Sequence, residues 1–448
     1  MKRTVRWALV MALSVLTVML NTGCSFRLVT SPEELYTLPK LPTEYTALDS
    51  IIQTLLAYGM EYAAPVSGAN TQNVQLMDLN GDGSQEAVVF LRNATEGQPL
   101  RVHIYEQSRG GYAEKTVIAG SGTSIYSFNA CDMNGDGWME LLIGWETGTE
   151  MRALTIHSLR EQTSRELLRT GYGKYTAEDL NRDGLRELVV FRTDEQGSGI
   201  ADLYVWKDGM EKTSSTKLSF TVAELKTGSV VLGTLRDGQP ALFVSGIGEN
   251  GAALTDVLSL KEAGLENITL SEFTGITTEI FHHRGQSPED INGDGITEIP
   301  AAVPLTGSGG ETENEYCRID WYQYGSDGLR HPAISTYHNM TDGWYLELLP
   351  AWTGRISLMR HFISADETAV TFYRQGQNAP FLRICAITGA GRELKAARGN
   401  RIVLSRQTDV IYTAELLAAN GDWDGSITED ELRSKFHLIA RKWTEGDN

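Results

Sequence analysis

The sequence predicts an all-β fold: a β-propeller of about seven four-stranded blades, with short N-terminal and C-terminal helices. Two observations lead to this prediction. An acidic nine-residue motif recurs along the chain, and an apolar run typical of a buried strand follows each copy. The copies recur at roughly 50 residues, a period that suits one propeller blade with several short strands. A β-helix would need much shorter repeats, and a sandwich would not explain a repeated acidic loop.

The acidic motif has the pattern Asp-x-Asn-x-Asp-Gly-x-x-Glu. Its four complete copies begin at Asp78, Asp132, Asp179 and Asp290. The first three starts lie 54 and 47 residues apart, and 111 residues, about two periods, separate the third from the fourth. One degenerate copy, around Asp237-Gly238, fills that gap, and a second lies around Asp342-Gly343. Both keep the Asp-Gly turn but lack the full set of outer acidic residues, so we interpret them as simple turns.

A second marker supports the same period. An alternating or aromatic strand follows the motifs by roughly two dozen residues. These strands are predicted at residues 101–105, 153–157, 203–206, 256–260, 319–324 and 369–373. Together, the motifs and the marker strands place about seven blades within residues 66–417.

The residue types of the complete motif are those that bind calcium. Calcium takes six to eight oxygen ligands, and a tight loop supplies them at alternate positions. The predicted ligands, with a backbone carbonyl at position seven, are Asp78, Asn80, Asp82, Ser84 and Glu86; Asp132, Asn134, Asp136, Trp138 and Glu140; Asp179, Asn181, Asp183, Leu185 and Glu187; and Asp290, Asn292, Asp294, Ile296 and Glu298. The alternative is a metal-free hairpin turn, but such a turn does not require acidic residues at positions one, five and nine. The sequence therefore predicts about four calcium ions.

At these residues the chain resembles the FG-GAP and VCBS-repeat family, the calcium-loop propellers that include integrin α-subunit heads. The resemblance covers the repeats and their strands, about three quarters of the chain. The overall layout is also similar to that of uncharacterised VCBS-type lipoproteins of Gram-positive bacteria. The resemblance implies a propeller with ions at its loops. It implies adhesion or recognition only loosely, because a fold does not fix a function.

The N-terminal residues 1–23 are typical of an export signal. A basic segment with Lys2, Arg3 and Arg6 precedes an apolar run at residues 7–20, which is short for a membrane span. Gly23-Cys24 resembles a bacterial lipobox, although Asn21 stands where an aliphatic residue is usual. We expect a lipid (palmitate) on Cys24, which would anchor the protein to the outer face of a bacterial cell membrane. The alternative is ordinary cleavage and release.

The remaining segments complete the predicted domain organisation. Residues 24–42 contain three prolines and read as the lipid-anchored linker. Residues 43–65 contain a helix, because apolar residues from Tyr45 to Leu56 recur at helical spacing, and Thr43 or Thr46 is its expected cap. Residues 66–417 form the propeller, and residues 418–448 form an acidic loop followed by a helix.

The C-terminal acidic loop has EF-hand spacing. Its possible metal ligands are Asn420, Asp422, Asp424, Ser426 and Glu431. Asn420 stands where Asp is usual, Trp423 is bulky, and no second EF-hand follows. The alternative is an acidic turn that enters a helix, with Thr428 and Glu431 forming a capping box. That helix would carry one apolar stripe, consisting of Leu432, Phe436, Ile439 and Trp443.

Charge and cysteine content restrict the partners. The formal net charge of −19 disfavours binding to nucleic acid and to anionic lipid headgroups. The four cysteines are too few for a disulfide scaffold. If Cys24 carries lipid, Cys317 and Cys385 either form one disulfide or stay as buried thiols, and Cys131 is the remaining cysteine.

No catalytic motif is evident in the sequence. The eight histidines are scattered, the adjacent pair His282-His283 would point to opposite faces of a strand, and neither a His-Glu-x-x-His motif nor a phosphate loop occurs. The tryptophans Trp145, Trp206, Trp321, Trp344 and Trp352 are expected mostly in blade cores. The leading hypothesis is a monomeric, non-catalytic surface propeller that binds a protein or a cell-wall glycan. The alternative is an extracellular carbohydrate-active enzyme, a lyase or hydrolase.

Overall fold

The computed structural model describes residues 45–108, 111–148, 151–161, 163–248, 251–271, 273–281, 286–305, 316–377, 379–421 and 423–439. The predicted export signal, Cys24 and the linker lie outside these ranges, as do His282-His283 and Asp422. The chain divides into a small unit, residues 1–58 with 108–112, and a large unit that contains the rest. No helix in the described ranges is long and apolar enough to cross a membrane.

The small unit contains one described helix, α1 (Thr46–Ala57), in the region where the sequence predicts it. Leu48 and Ile52 are its buried residues, in agreement with the helical spacing of the apolar side chains. The expected cap at Thr46 is wrong, because the helix is preceded by Tyr45, which makes no side-chain capping bond. Thr46 is instead the first helical residue, and its carbonyl accepts a hydrogen bond from the Ser50 hydroxyl. Thr43 lies outside the described residues.

The large unit is all-β, and its described strands form six antiparallel sheets. The first sheet contains β1 (Glu61–Tyr62), β2 (Val74–Met77), β3 (Glu86–Arg92), β4 (Leu100–Ser108) and β5 (Gly111–Gly120). The second contains β6 (Ser124–Cys131), β7 (Glu140–Gly148), β8 (Met151–Ser158) and β9 (Arg165–Gly171). The third contains β10 (Lys174–Glu178), β11 (Glu187–Thr193), β12 (Gly199–Trp206) and β13 (Met210–Lys217).

The other three sheets have five strands each. The fourth contains β14 (Leu225–Thr234), β15 (Pro240–Ile247), β16 (Ala253–Lys261), β17 (Gly264–Asn267) and β18 (Ile280–Phe281). The fifth contains β19 (Glu298–Pro304), β20 (Cys317–Tyr324), β21 (Arg330–Asn339), β22 (Trp344–Glu347) and β28 (Phe436–Leu438). The sixth contains β23 (Ile356–Ser364), β24 (Glu367–Arg374), β25 (Ala379–Ile387), β26 (Ile402–Arg406) and β27 (Ile411–Leu416). Two short helices, α2 (Arg392–Ala396) and α3 (Glu429–Lys435), and three 3₁₀ turns complete the described elements.

The burial of the strands explains the apolar runs in the sequence. In β3 the first six residues are buried, and in β11 the first five are. A strand that is buried on both faces reads as a continuous apolar run rather than an alternating one. The last strand of the third sheet, β13, is largely exposed and correspondingly polar. Each of the six predicted marker strands lies in a different sheet, in β4, β8, β12, β16, β20 and β24.

Consecutive sheets share their hydrophobic cores. Five clusters of buried side chains each join one sheet to the next along the chain. At the first junction, Phe90 and Phe128 make an edge-to-face contact with ring centroids 5.0 Å apart. Four of the five singled-out tryptophans are buried, namely Trp145, Trp321, Trp344 and Trp352, which confirms their expected core role. Trp206 is half-buried.

The sequence predicts about seven blades, and the structure describes six sheets. The described residues form six sheets, so about seven blades are not confirmed. The degenerate copy around Asp237 joins β14 to β15, the same place that the complete motifs occupy in other sheets. The degenerate copy around Asp342 instead forms the turn between β21 and β22, in the middle of the fifth sheet. There the Asn339 amide donates to the Asp342 carboxylate, so that Asp-Gly pair marks only a hairpin and begins no blade.

The C-terminal segment follows its prediction only in part. The capping box of Thr428 and Glu431 begins α3, as expected. The helix ends at Lys435, and β28 then pairs antiparallel with β22. The prediction of one helical stripe that includes Phe436 is therefore wrong, because Phe436 lies in a strand. This pairing gives hydrogen-bond partners to the backbone groups at the edge of the fifth sheet. A continued helix would have left those groups without partners in the sheet. Trp443 lies outside the described residues. Within those residues, Cys131, Cys317 and Cys385 form no disulfide.

Candidate functional site

Each complete acidic motif lies at the same place in its sheet. The first three connect β2 to β3, β6 to β7, and β10 to β11. The fourth leads into β19, where a single bridge between Glu289 and Glu298 replaces the first strand. In all four motifs, the glutamate at position nine is the first residue of the following strand. The same turn therefore positions every predicted set of ligands, and we number these turns loops 1 to 4.

The side chains of each loop bind its own backbone in a common pattern, seen in loop 2. The Asp132 carboxylate accepts hydrogen bonds from the backbone N–H groups of Gly135 and Gly137, at 2.7 and 2.9 Å. The Asn134 side-chain oxygen accepts from the N–H of Asp136, and Asp136 accepts from the N–H of Trp138, both at 2.9 Å. Loops 1 and 4 repeat all four bonds. The acidic residues therefore curl the loop around their own carboxylates.

Glycine at two positions allows this curl. At position six, Gly137 has a φ of 84°, and the equivalent glycines of the other loops lie between 83° and 88°. At position four, loops 1, 2 and 4 also have glycine with positive φ. Loop 3 has Arg182 there, the one described non-glycine residue with a positive φ, at 63°. A side chain in this left-handed conformation costs about 1 kcal/mol relative to glycine.

The position-nine glutamates are buried beneath the loops. One oxygen of each accepts a hydrogen bond from the backbone N–H at position two, for example from Met133 to Glu140 at 3.1 Å. Burial, together with the nearby aspartates, raises the pKa of Glu140 to about 7. The same causes raise the pKa of Glu298 to about 7 and raise those of Glu86 and Glu187. A buried carboxylate beside two further carboxylates is costly as an anion unless a cation offsets the charge.

Loops 2 and 3 contain carboxylate oxygens that no described protein group satisfies. The Oε1 atom of Glu140 and the Oδ1 atom of Asp179 are buried and accept no hydrogen bond. Buried acceptors are normally satisfied, so each unsatisfied oxygen fits a ligand with positive charge. Calcium binds carboxylate oxygen, and the donor set of these loops fits it.

Loop 4 brings its acidic side chains closest together. Oxygens of Asp290, Asp294 and Glu298 all lie within 4.8 Å of one another, the only such group found among the described residues. The amide of Gln323 donates to Asp294 Oδ2 and to Glu298 Oε1, both at 2.7 Å. Gln323 lies on β20 and is absent from the sequence motif, so sequence reasoning missed it. No local signal would have found it, because the contact depends on strand pairing.

Neighbouring loops also contact one another. The N–H of Met139 in loop 2 donates to the carbonyl of Leu79 in loop 1 at 2.8 Å. Gly81 lies so close to loop 2 that an added Cβ atom would be 2.8 Å from the carbonyl oxygen of Gly137. Beside loop 4, the N–H of Thr297 donates to the carbonyl of Thr234, at the end of β14. The loops therefore line one end of successive sheets.

The C-terminal acidic loop directs its side chains to other partners. The Asn420 side-chain oxygen accepts from the N–H of Ile427 at 2.9 Å. Asp424 forms an ion pair with Arg355, with nitrogen–oxygen distances of 2.6 and 2.8 Å. Glu431 accepts from Thr428 in the capping box, and the N–H of Ser426 donates to the carbonyl of Trp423. The described residues thus form a turn that enters a helix through a capping box, and metal binding by this loop stays a prediction.

Comparison with known proteins supports the repeat. A family model described as an FG-GAP-like repeat matches residues 78–143, which contain loops 1 and 2. No curated protein matches the chain. Among solved structures, an arginine-to-alanine triple mutant of AofleA from Arthrobotrys oligospora is similar at 9% identity and a TM-score of 0.27, covering 73% of this chain and 85% of that one. The chain thus contains an FG-GAP-like repeat in an all-β fold.

Proposed function

We propose that this protein is a calcium-stabilised, non-catalytic β-propeller that binds a protein or a glycan at the bacterial cell surface. The observation that carries the proposal is the recurrence of one carboxylate-lined turn, loops 1 to 4, at the same place in four sheets. Six antiparallel sheets that share cores in chain order support the propeller. A propeller offers a rigid surface on which recognition sites are built.

Calcium would have a structural role in this protein. In loop 2 the ion would be bound by Asp132, Asn134, Asp136, the carbonyl of Trp138 and Glu140, and the other loops offer equivalent groups. Burial, together with the repulsion of Asp136 and Asp132, raises the pKa of Glu140, and the ion would offset that repulsion. Because the protein would supply most of the ligands, the sites favour structure over catalysis.

Calcium binding is tested by its effect on stability. An ion that binds only the folded state adds about 1.4 kcal/mol per site at ten times its dissociation constant, so about 5 to 6 kcal/mol for four independent sites. We expect metal analysis to give about four ions per chain at millimolar calcium, and a chelator to lower the melting temperature strongly. Coinciding melting curves with and without chelator, and no bound metal, would show that the loops are only turns.

Membrane attachment is tested at Cys24, which lies outside the described residues. The Cys24→Ala variant should move from the membrane fraction to the soluble fraction, because the lipid would be lost. A matched Cys131→Ala variant should stay with the membrane. A Cys24→Ala protein that remains with membranes would contradict lipid anchoring.

The recognition role is tested by affinity capture from the cell envelope, with and without chelator. A protein or glycan partner that is retained in calcium and lost with chelator would support the proposal. Turnover of a glycan substrate by the purified protein would instead favour a carbohydrate-active enzyme.

A further inference from the structure

A large cavity lies between the second and third sheets, at the point where the chain crosses from β9 to β10. Its volume is about 920 Å³, within the range of small-molecule binding sites. The cavity lies at the opposite end of the strands from the acidic loops. Strand β11 begins at Glu187 in loop 3 and ends at Thr193, which lines the cavity. At about 3.3 Å per residue, roughly 20 Å separate the two sites.

The charge lining the cavity is opposite to that of the protein as a whole. Three cations, Arg152, Arg192 and Lys212, line it together with one carboxylate, that of Asp202. Asp202 is 1% exposed and pairs with Arg192 at 2.6 Å and with Lys212 at 2.7 Å. One carboxylate cannot neutralise two cations, so this trio retains one positive charge. The formal net charge of the whole chain is −19.

Arg152 adds a second uncompensated positive charge. Its guanidinium lies over the ring of Tyr126, 3.5 Å from the centroid, which fixes its orientation. It donates one long hydrogen bond, of 3.4 Å, to the carbonyl of Gly173, while its Nε is buried without a hydrogen-bond partner. Its cross-strand neighbour Glu146 accepts from the Ser124 hydroxyl at 2.6 Å. Among the described residues, no carboxylate forms an ion pair with Arg152.

We propose that this cavity binds a small anionic ligand through a carboxylate or phosphate group. Oriented guanidinium groups recognise both of these anions, and Arg152 and Arg192 both have N–H donors that no described carboxylate uses. Thr170, Thr193 and Tyr204, which carry hydroxyl groups, line the same space and suit the polar body of a saccharide-sized molecule. The assignment rests on the recognition role proposed above and gives it a ligand class.

Isothermal titration of the calcium-loaded protein at low ionic strength tests the assignment. The probes are inorganic phosphate, glucuronic acid and glucose. We expect binding of at least one anionic probe, weakening as salt is added, and at least tenfold weaker binding of glucose. Binding of glucuronic acid alone identifies a carboxylated saccharide, and binding of phosphate alone identifies a phosphorylated ligand. No binding of either anion at millimolar concentration would overturn the proposal.

Variants locate the binding. Arg152→Gln and Lys212→Gln should each weaken anion binding about tenfold, since each removes one charged donor. The matched control is Arg406→Gln, which removes the same charge from an exposed ion pair with Glu393 in the sixth sheet and should bind normally. Lys212 is 40% exposed, so its variant is expected to fold even if Arg152→Gln does not. Wild-type affinity in Lys212→Gln and in a folded Arg152→Gln would refute the site.

The two proposals fail separately. Calcium-dependent melting without anion binding would refute the cavity assignment and leave the calcium-stabilised scaffold intact. Anion binding by a protein that contains no calcium would refute the proposed role of the loops and leave the cavity assignment standing.

Discussion

The contact between loops 1 and 2 predicts that their proposed calcium sites are energetically coupled. Asp78 accepts a hydrogen bond from the N–H of Gly81 at 2.7 Å, and Gly81 lies against the carbonyl of Gly137. The N–H of Gly137 in turn donates to Asp132 at 2.9 Å. A change at Asp78 is therefore three contacts away from Asp132, the first predicted ligand of loop 2. A double-mutant cycle of Asp78→Asn and Asp132→Asn measures this coupling.

The expected magnitudes follow from what each substitution removes. Each single variant would lose one proposed ion, worth about 1.4 kcal/mol at ten times the dissociation constant, and would weaken one hydrogen bond, worth about 1 kcal/mol. Independent sites would give a loss of about 5 kcal/mol in the double variant. Groups in contact typically interact by 0.5 kcal/mol or more, so we expect a loss of about 4 kcal/mol.

Urea unfolding at fixed calcium concentration, repeated with chelator, provides the measurement. The control pair is Asp78→Asn with Asp290→Asn, whose loops share no hydrogen bond in the described residues and should be additive. The chelator series separates the hydrogen-bond losses from the metal losses. An interaction energy below about 0.3 kcal/mol for Asp78 with Asp132, equal to that of the control pair, would refute coupling through the loop contact.

Three further predictions concern single residues. Asp237→Ala should leave the calcium dependence of melting unchanged, because Asp237 accepts a 3.4 Å hydrogen bond from the N–H of Ser326 and its turn lacks the other acidic residues of the motif; a reduced dependence would show that this turn binds metal. Arg182→Gly should stabilise the protein by about 1 kcal/mol in urea unfolding, because φ at this position is 63°, and destabilisation would contradict the cost assigned to Arg182. Burial lowers the pKa of His157 to about 4. The unfolded chain therefore takes up a proton below pH 6.5 while the folded protein does not, so the free energy of unfolding decreases as the pH is lowered from 6.5 to 4. His157→Gln should remove up to about 3 kcal/mol of that fall, and an unchanged pH profile of the unfolding free energy would contradict the shift.

The sequence predicts local features of this protein well. The turn that begins at Asp132, the glycine at position six and the strand that begins at Glu140 all depend on a window of nine residues. Hydrogen bonds between a side chain and its own backbone decide such a turn, and residue type is enough to indicate it. The same holds for the capping box at Thr428.

Contacts between distant segments could not be predicted. Gln323 reaches loop 4 only because β19 and β20 pair, and the cavity beside Arg152 exists only because two sheets pack together. Strand register and sheet packing set these positions, and neither is written in a short motif. The predicted count of about seven blades is not confirmed, for a related reason. An Asp-Gly pair within a hairpin, at Asp342, has the same local sequence as one that begins a sheet.

The pairing of β28 with β22 has a consequence for the order in which the protein folds. The first four sheets are built from strands that follow one another in the chain, so each has the strands it needs soon after they leave the ribosome. The fifth sheet differs, because the entire sixth sheet separates β22 from β28. Its outer edge stays open until the last described residues emerge, and an open strand edge is a template for aggregation. Chaperone dependence and truncation sensitivity should therefore concentrate at the late end of synthesis.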